Sequence, residues 1–435
     1  MRFDASRYLD RVIDRQLNQY LQAFGAVSVE GPKWCGKTTT CLSQAGTSVE
    51  VSDPEGNYAI RALARLDPYQ LFDGTPPILL DEWQVVPGIW DAVRRDVDET
   101  GARGKFLLCG SAGPKKKALH SGVGRIARLK MRTMTLFEMG VSSATVSLQG
   151  LMNGDRASGT AVQGANLNDL VDLICRGGWP GTIHSRSFDK AVLTPREYIN
   201  QVCNLPDEDA EITDERFDPD RMRALLNAIA RSVASPVRKV TLIQDTDETY
   251  RPSGKASVET SYRTLERYYG ILRRLYLVDE QPAWAPALRS PVRLRRAAKI
   301  HLTDPSLAAA ALGATPRSLK LDFKTLGLLF ESLTYHDLDV YASSFDARVM
   351  HYIDNSDLEC DEIVELPDGG WGAFEVKLSA DKIDAAAASL NAVEAKMVAG
   401  GQEPPRCKCV IVGTFNRAYN RPDGVRVVPL ATLRP

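Results

Sequence analysis

Histidine is scarce in this chain of 435 residues: there are five. None falls in an HExxH pattern, which removes the usual helix-borne zinc site of a metallohydrolase. The eight cysteines are scattered. The one close pair, Cys407 and Cys409, is spaced for neither CxxC redox chemistry nor a zinc site. No apolar run approaches the length needed to span a bilayer, and the opening MRFDASRYLDRVIDRQ has no apolar signal region. Excess charge is missing too, since 54 Lys and Arg face 55 Asp and Glu for a net charge of −1. A polyanionic partner would therefore have to be met by local clusters rather than by the overall field. There is no internal repeat and no extended low-complexity tract. These absences point to a reduced, cytoplasmic protein with no membrane partner, long enough for two to four domains.

What is present begins with strand–helix alternation. Residues 5–23 carry helical apolar spacing (Tyr8, Val12, Ile13, Leu17, Leu21), and a β-branched strand, AVSVE, follows at 26–30. PPILLDEWQ (76–84) and KFLLCGSA (105–112) are short apolar runs ending in polar residues, with helical IWDAVRRDVDE (89–99) between them. This is the pattern of parallel strands in an α/β doubly wound domain.

The first strand runs into GPKWCGKTTT. Gly31, Pro32, Lys33, Trp34, Cys35, Gly36, Lys37 and Thr38 fit GxxxxGK[ST], the P-loop pattern, and Thr39 continues it. Backbone amides of 33–38 at a helix N-terminus form an anion nest. Lys37 would reach the β- and γ-phosphates of ATP, and the Thr38 hydroxyl would ligate Mg²⁺. ILLDE (78–82) is the matching Walker B strand, in which Asp81 holds Mg²⁺ and Glu82 orients the attacking water. Ser111, ending the next strand, stands where a γ-phosphate sensor would sit, although Ser after Gly is also common turn chemistry. Residues 113–132 carry seven Lys and Arg and no acid. Arg125 among them is a candidate arginine finger acting across a subunit interface, or else a nucleic-acid contact.

These blocks, with SDPEGNYAIRALARLDPYQLF, SGVGRIARLKMRTMTLFEMG and RGGWP, resemble a bacterial and archaeal AAA-type ATPase family. Its members carry a C-terminal domain of uncharacterised function related to PD-(D/E)XK nucleases. The resemblance implies an ATPase module at 1–145, a connector and helical region at 146–215, a winged-helix-like domain at 216–310 and an α/β restriction-endonuclease-like domain at 318–435. One departure is Trp34-Cys35, where relatives have smaller or more polar residues; both lie in the variable part of the loop.

The C-terminal residues can be read on their own terms. ECDEIVELPDGGWGAFEVK (359–377) reads as a hairpin about PDGG. Antiparallel pairing would bring Asp361 within one register step of Glu375, close enough to share one hard cation. Lys377, on the face of Glu375, could polarise the attacking water or scissile phosphate. Glu331, on the amphipathic helix GLLFESL, is an acid in a surface otherwise suited to burial and needs a partner. Two other readings compete: a solvated edge-strand pair at Glu375 and Lys377, and a nuclease-like fold that no longer cuts.

In the middle region, Tyr262, Leu265, Tyr269, Leu272 and Leu275 recur at helical spacing and suit a core better than a base-stacking platform. SPVRLRRAAK (290–299) alternates Arg293, Arg295 and Lys299 in the manner of a charged hairpin wing. The function expected is an ATP-hydrolysing homo-oligomer acting on nucleic acid, DNA before RNA. Its nucleotide state would control a Mg²⁺-dependent nuclease-like site. The alternative is a regulatory or signalling ATPase switch whose nuclease-like domain only binds a partner. A nucleotide kinase fits less well, since no acceptor-substrate lid is recognisable.

Overall fold

The computed structural model describes residues 4–110, 122–185, 187–205, 217–250, 261–285, 297–356 and 358–435. Ser111, Arg293 and Arg295 lie outside these described residues. Two compact units emerge, one built mainly from Met1–Thr133 and the other from Met134–Pro206, Asp214–Gly270 and Val278–Pro435. The sequence suggests four segments instead.

The first unit is organised on five parallel strands: β1 (Ala26–Glu30), β2 (Thr47–Glu50), β3 (Ile78–Asp81), β4 (Phe106–Gly110) and β5 (Ile126–Lys130), in the order β2-β3-β4-β1-β5. The inner strands β3 and β4 are buried along their whole length, as parallel strands covered on both faces must be. Edge strand β5 exposes Arg128 and Lys130. Helices α1 (Ile13–Ala23), α2 (Lys37–Gln44), α3 (Glu55–Leu66) and α4 (Gly88–Thr100) complete the unit. In α1 the buried residues Ile13, Leu17 and Leu21 fall four apart, one stripe of a 3.6-residue helix. They pack with Val27, Val29, Leu79 and Leu107, while Ile89, Trp90 and Val93 of α4 join Ile78, Leu80 and Phe106 in a second cluster.

The second unit contains a sheet of seven strands in the order β11-β12-β13-β14-β16-β15-β7. Its strands are β7 (Gly159–Thr160), β11 (Arg348–Ile353), β12 (Glu359–Glu365), β13 (Trp371–Lys377), β14 (Cys407–Val412), β15 (Arg417–Asn420) and β16 (Arg426–Pro429). The long helix Phe323–Ser343 precedes β11, and helix Ile383–Ala399 connects β13 to its parallel neighbour β14. Residues 141–169, expected as connector, are partly built into this unit. There β6 (Val146–Ser147) pairs with β17 (Leu433–Arg434) and β7 pairs with β15. These two-residue strands are too short to leave an alternating signature, and only their long-range partners fix them.

Two motifs quoted above turn out to be joints. In TMTLFEMG, the Leu136 amide donates to Asp337 Oδ2 at 3.0 Å on the long helix, and Thr135 N donates to Glu138 Oε2 at 2.8 Å. In RGGWP, Gly178 N donates to Asp304 Oδ2 at 3.0 Å and Trp179 Nε1 to Ser306 Oγ at 3.0 Å. A Cβ on Gly178 would stand 2.0 Å from the Met134 carbonyl oxygen, so only glycine fits.

Between these joints run helices Pro219–Arg231, Lys239–Thr249 and Tyr262–Arg274, then β9 (Val278–Gln281) antiparallel to β10 (Lys299–Leu302). A two-residue strand, β8 (Ser235–Pro236), separates the first two helices. Leu265, Tyr269 and Leu272 are buried, in keeping with their reading as core. Lys299 is not a wing residue facing solvent. It is 1% exposed and begins a strand whose four residues are all buried. Among the described residues no helix is long and apolar enough to cross a membrane.

Leu390, fully buried where helix Ile383–Ala399 meets the sheet, tests the second core. Leu390→Ala should destabilise the protein by about 2–5 kcal/mol, measured as a lowered denaturant midpoint. An unchanged midpoint would show that this helix is not packed as described.

Candidate functional site

In the first unit, β1 ends at Glu30 and the loop Gly31–Gly36 leads to α2. Two glycines make the loop possible. A Cβ at Gly31 would lie 2.1 Å from the Met131 carbonyl oxygen, and Gly36 has φ 102°, a conformation L side chains avoid. Trp34 also adopts positive φ, 64°, and is half exposed, while Cys35 is fully buried. The departure Trp34-Cys35 thus divides into an outward aromatic and an inward thiol. Lys37 is buried, its Nζ donating to the Pro32 carbonyl oxygen at 2.6 Å across the loop.

Strand β4 lies between β1 and β3, and Asp81, ending β3, comes within 3.3 Å of the Thr38 hydroxyl. Burial pushes the Asp81 carboxyl above the usual range, against hydrogen bonds from Cys109 and Thr38. A hydroxyl and a carboxylate from opposite sides of one cleft suit a hard, oxygen-seeking cation bound with phosphate. Glu82 has φ 55°, a strained setting for a residue with a side chain. It is held by a short hydrogen bond from Gln84 Nε2. Arg125 immediately precedes β5, at the sheet edge opposite the phosphate loop, and pairs with Asp98 of α4 at 2.5 Å. Thr39 and Lys33 flank this arrangement on α2 and the loop.

Arg11 escapes the sequence reading. It is 8% exposed and donates to the carbonyl oxygens of Cys35 at 2.8 Å and Arg132 at 2.9 Å. An arginine ahead of the first helix carries no motif; its role follows from the return of the chain after β5.

The second unit brings Glu331, Asp361, Glu375 and Lys377 together. β12 and β13 are antiparallel with Glu362 opposite Phe374, so Asp361 and Glu375 are one step further along on the other face. Lys377 Nζ lies 2.6 Å from Glu375 Oε2 and 3.0 Å from Asp361 Oδ2, and the Val376 amide donates to Asp361 Oδ2 at 2.8 Å. Ser389 of the crossing helix donates to Glu375 Oε1 at 3.3 Å. Because β13 is hydrogen-bonded to β12 and β14, the reading of Glu375 and Lys377 as an exposed edge pair is overturned. Sequence reasoning assigned Lys299 to a wing; here its ammonium sits 2.6 Å from Glu331, 3.3 Å from Glu359 and 3.8 Å from Asp361. The three buried residues that follow it, Ile-His-Leu, are the signal that could have moved it indoors.

Burial, then the Asp361 charge, pushes Glu331 up to about 7 and Glu375 up to about 8, against the pull of their lysines. Burial also works to raise Asp361, but Lys377 and Lys299 outweigh it and hold that carboxyl below the usual range. Both lysines stay charged well above the usual range, since surrounding carboxylates outweigh their burial. The cluster is therefore short of positive charge and keeps protons in its place. Among the described residues no group of three or more His, Cys, Asp or Glu is arranged to hold a metal by itself. Any cation here would rest on Asp361 and Glu375 with Lys377 moved aside.

Comparison with known proteins divides along the chain. Residues 23–140 match the profile of an AAA domain. The first unit is an AAA-type P-loop ATPase domain. Residues 167–318 match a domain of unknown function, DUF8612. Uncharacterised proteins of Mycobacterium bovis and Mycobacterium tuberculosis are each 24% identical over 367 residues, covering 83% of this chain and 72% of theirs. A Walker-type ATPase of Pyrococcus abyssi is similar at a TM-score of 0.43 and 12% identity, covering 72% of this chain and 98% of that one. The RuvB Holliday junction branch migration motor of Thermotoga maritima is similar at 0.26 and 18%, covering 62% and 89%.

Lys37→Ala should reduce ATP turnover to background in a phosphate-release assay, because the loop loses the cation that meets the phosphates; unchanged turnover would remove the P-loop assignment. The second cluster predicts a pH effect. Glu375 is raised from 4.5 to about 8 on folding, so its stabilising contribution is complete below pH 4.5 and is lost as pH rises through 8. Glu375→Gln should lose less stability than the unaltered protein between pH 6 and 9 in thermal melts. Parallel curves would show that Glu375 is ionised throughout.

Proposed function

We propose that the protein hydrolyses ATP with Mg²⁺ in its first unit and cuts phosphodiester bonds in its second, nucleotide state governing nucleic-acid access. The observation that carries the second part is the convergence of Asp361, Glu375 and Lys377 on the central strands of one sheet. The helix–strand–strand–strand–helix–strand order of 323–412 supports a restriction-endonuclease-like fold. Three helices followed by the β9–β10 pair support a winged-helix reading of the middle region.

In the ATPase unit, Thr38 and Asp81 would hold Mg²⁺, Lys37 would meet the phosphates, and Glu82 would take a proton from the attacking water. Gly31, Pro32, Lys33, Trp34, Cys35, Gly36 and Thr39 shape the cradle, and Ser111 is kept as a sensor. Arg125 lies at the opposite sheet edge from the loop, so it would reach a nucleotide only in a neighbouring copy, which makes a homo-oligomer part of the proposal.

In the second unit, Asp361 and Glu375 would hold one divalent cation, whose charge supplies Lewis-acid stabilisation of the phosphate. The short supply of positive charge, with Glu331 and Glu375 retaining protons, is the feature that suits such an ion. Lys377 would then hold and orient the water, and the buried wall of β13 limits solvent approach. A regulatory switch without cleavage is the other outcome.

Plasmid DNA and single-stranded RNA incubated with Mg²⁺ or Mn²⁺ under ATP, ADP and nucleotide-free conditions separate the two. Cleavage is expected, with Lys377→Ala lowering it at least a hundredfold, the scale of a lost acid–base group. Intact substrates in every condition would leave the switch.

A further inference from the structure

Asp361 presents its two oxygens to two different ammonium groups. Oδ2 faces Lys377 at 3.0 Å and Oδ1 faces Lys299 at 3.8 Å. Each ammonium is closed by a second acid, Glu375 at 2.6 Å on one side and Glu331 at 2.6 Å on the other. A carboxylate bridging two cation positions, each completed by one further acid, is how paired divalent ions are held. Here one position is filled from the chain itself. Lys299 comes from β10, outside the nuclease-like stretch 318–435, and is 1% exposed, so its ammonium neither exchanges nor withdraws.

We infer that Lys299 is a tethered cation standing where a second divalent ion would sit, so that the Asp361–Glu375 site takes one metal ion and not two. This rests on the reading of Asp361 and Glu375 as a cation site. The charges agree. Glu331, Glu359, Asp361 and Glu375 face Lys299 and Lys377, an excess of two negative charges when all are ionised. One divalent ion balances that excess; two would reverse it. Glu362 belongs to the opposite face of β12 and keeps its proton by burial, so it leaves the balance unchanged. A buried lysine among acids is weak support for stability alone, since apolar residues of similar volume often serve as well. Lys299 is accordingly a positioning residue that fixes Glu331 and one oxygen of Asp361.

The test is Mn²⁺ binding to the full chain without nucleotide, by calorimetry and electron paramagnetic resonance. Asp81→Asn is present in every sample to remove the other cation site. One Mn²⁺ per chain is expected, still one in Lys299→Arg, and two in Lys299→Met, which keeps the stem and removes the charge. Two ions in the Lys299 protein, or one in a folded Lys299→Met variant, overturns the inference. No bound ion in the Lys299 protein removes the Asp361–Glu375 reading itself, and the inference with it. Should Lys299→Met fail to fold, Glu331→Gln decides. Binding stays at one ion with affinity within about threefold if Glu331 serves the lysine, and loss of the ion makes Glu331 a direct ligand and sinks the proposal.

Discussion

Like charges gathered in the interior of a sheet repel, and something must hold them. In the second unit, four carboxyl groups meet around Lys299 and Lys377, and three of them are largely withdrawn from water. Removing one lysine from such a cluster leaves uncompensated charge, a far larger penalty than the loss of a surface pair. The sheet order, the register across the 366–370 turn and the inward face of the long helix all serve to bring these groups together. That β13 is central rather than marginal makes the arrangement expensive to keep and gives it a chemical reading.

The first unit meets the opposite problem, a loop rich in backbone amides that must stay open for an anion. Its glycines remove side chains where the Met131 carbonyl approaches. Arg11 fixes the loop from outside by binding the carbonyl oxygens of Cys35 and Arg132. Tyr8 adds a second tie, its hydroxyl 3.1 Å from Thr40 on α2 and 2.7 Å from Asp14. The N-terminal helix is thus a brace for the nucleotide loop, with its apolar stripe buried against the sheet and its polar start on the loop.

Much of this could be read from the residues because local patterns decided it. The P-loop follows from a strand, two glycines and a lysine; the Asp361–Glu375 pairing follows from a PDGG turn and period-two alternation. What could not be read depended on distant partners. Lys299 looks like part of a basic wing until the chain turns it toward Glu331. Strands β6 and β7 exist because β17 and β15 are there to receive them. Arg11 has no motif, and its acceptors are backbone oxygens that any sequence would supply. TMTLFEMG and RGGWP were visible as motifs, but their role as joints needed Asp337, Asp304 and Ser306 in place.

The central claim is that the acid cluster of the second unit accepts a cation between Asp361 and Glu375. Anomalous diffraction from crystals soaked in Mn²⁺ tests it most directly. The account predicts one peak within about 2.0–2.6 Å of oxygens from both carboxylates, with the Lys377 ammonium moved off Glu375. No peak there, with Lys377 still bonded to both acids, would contradict it.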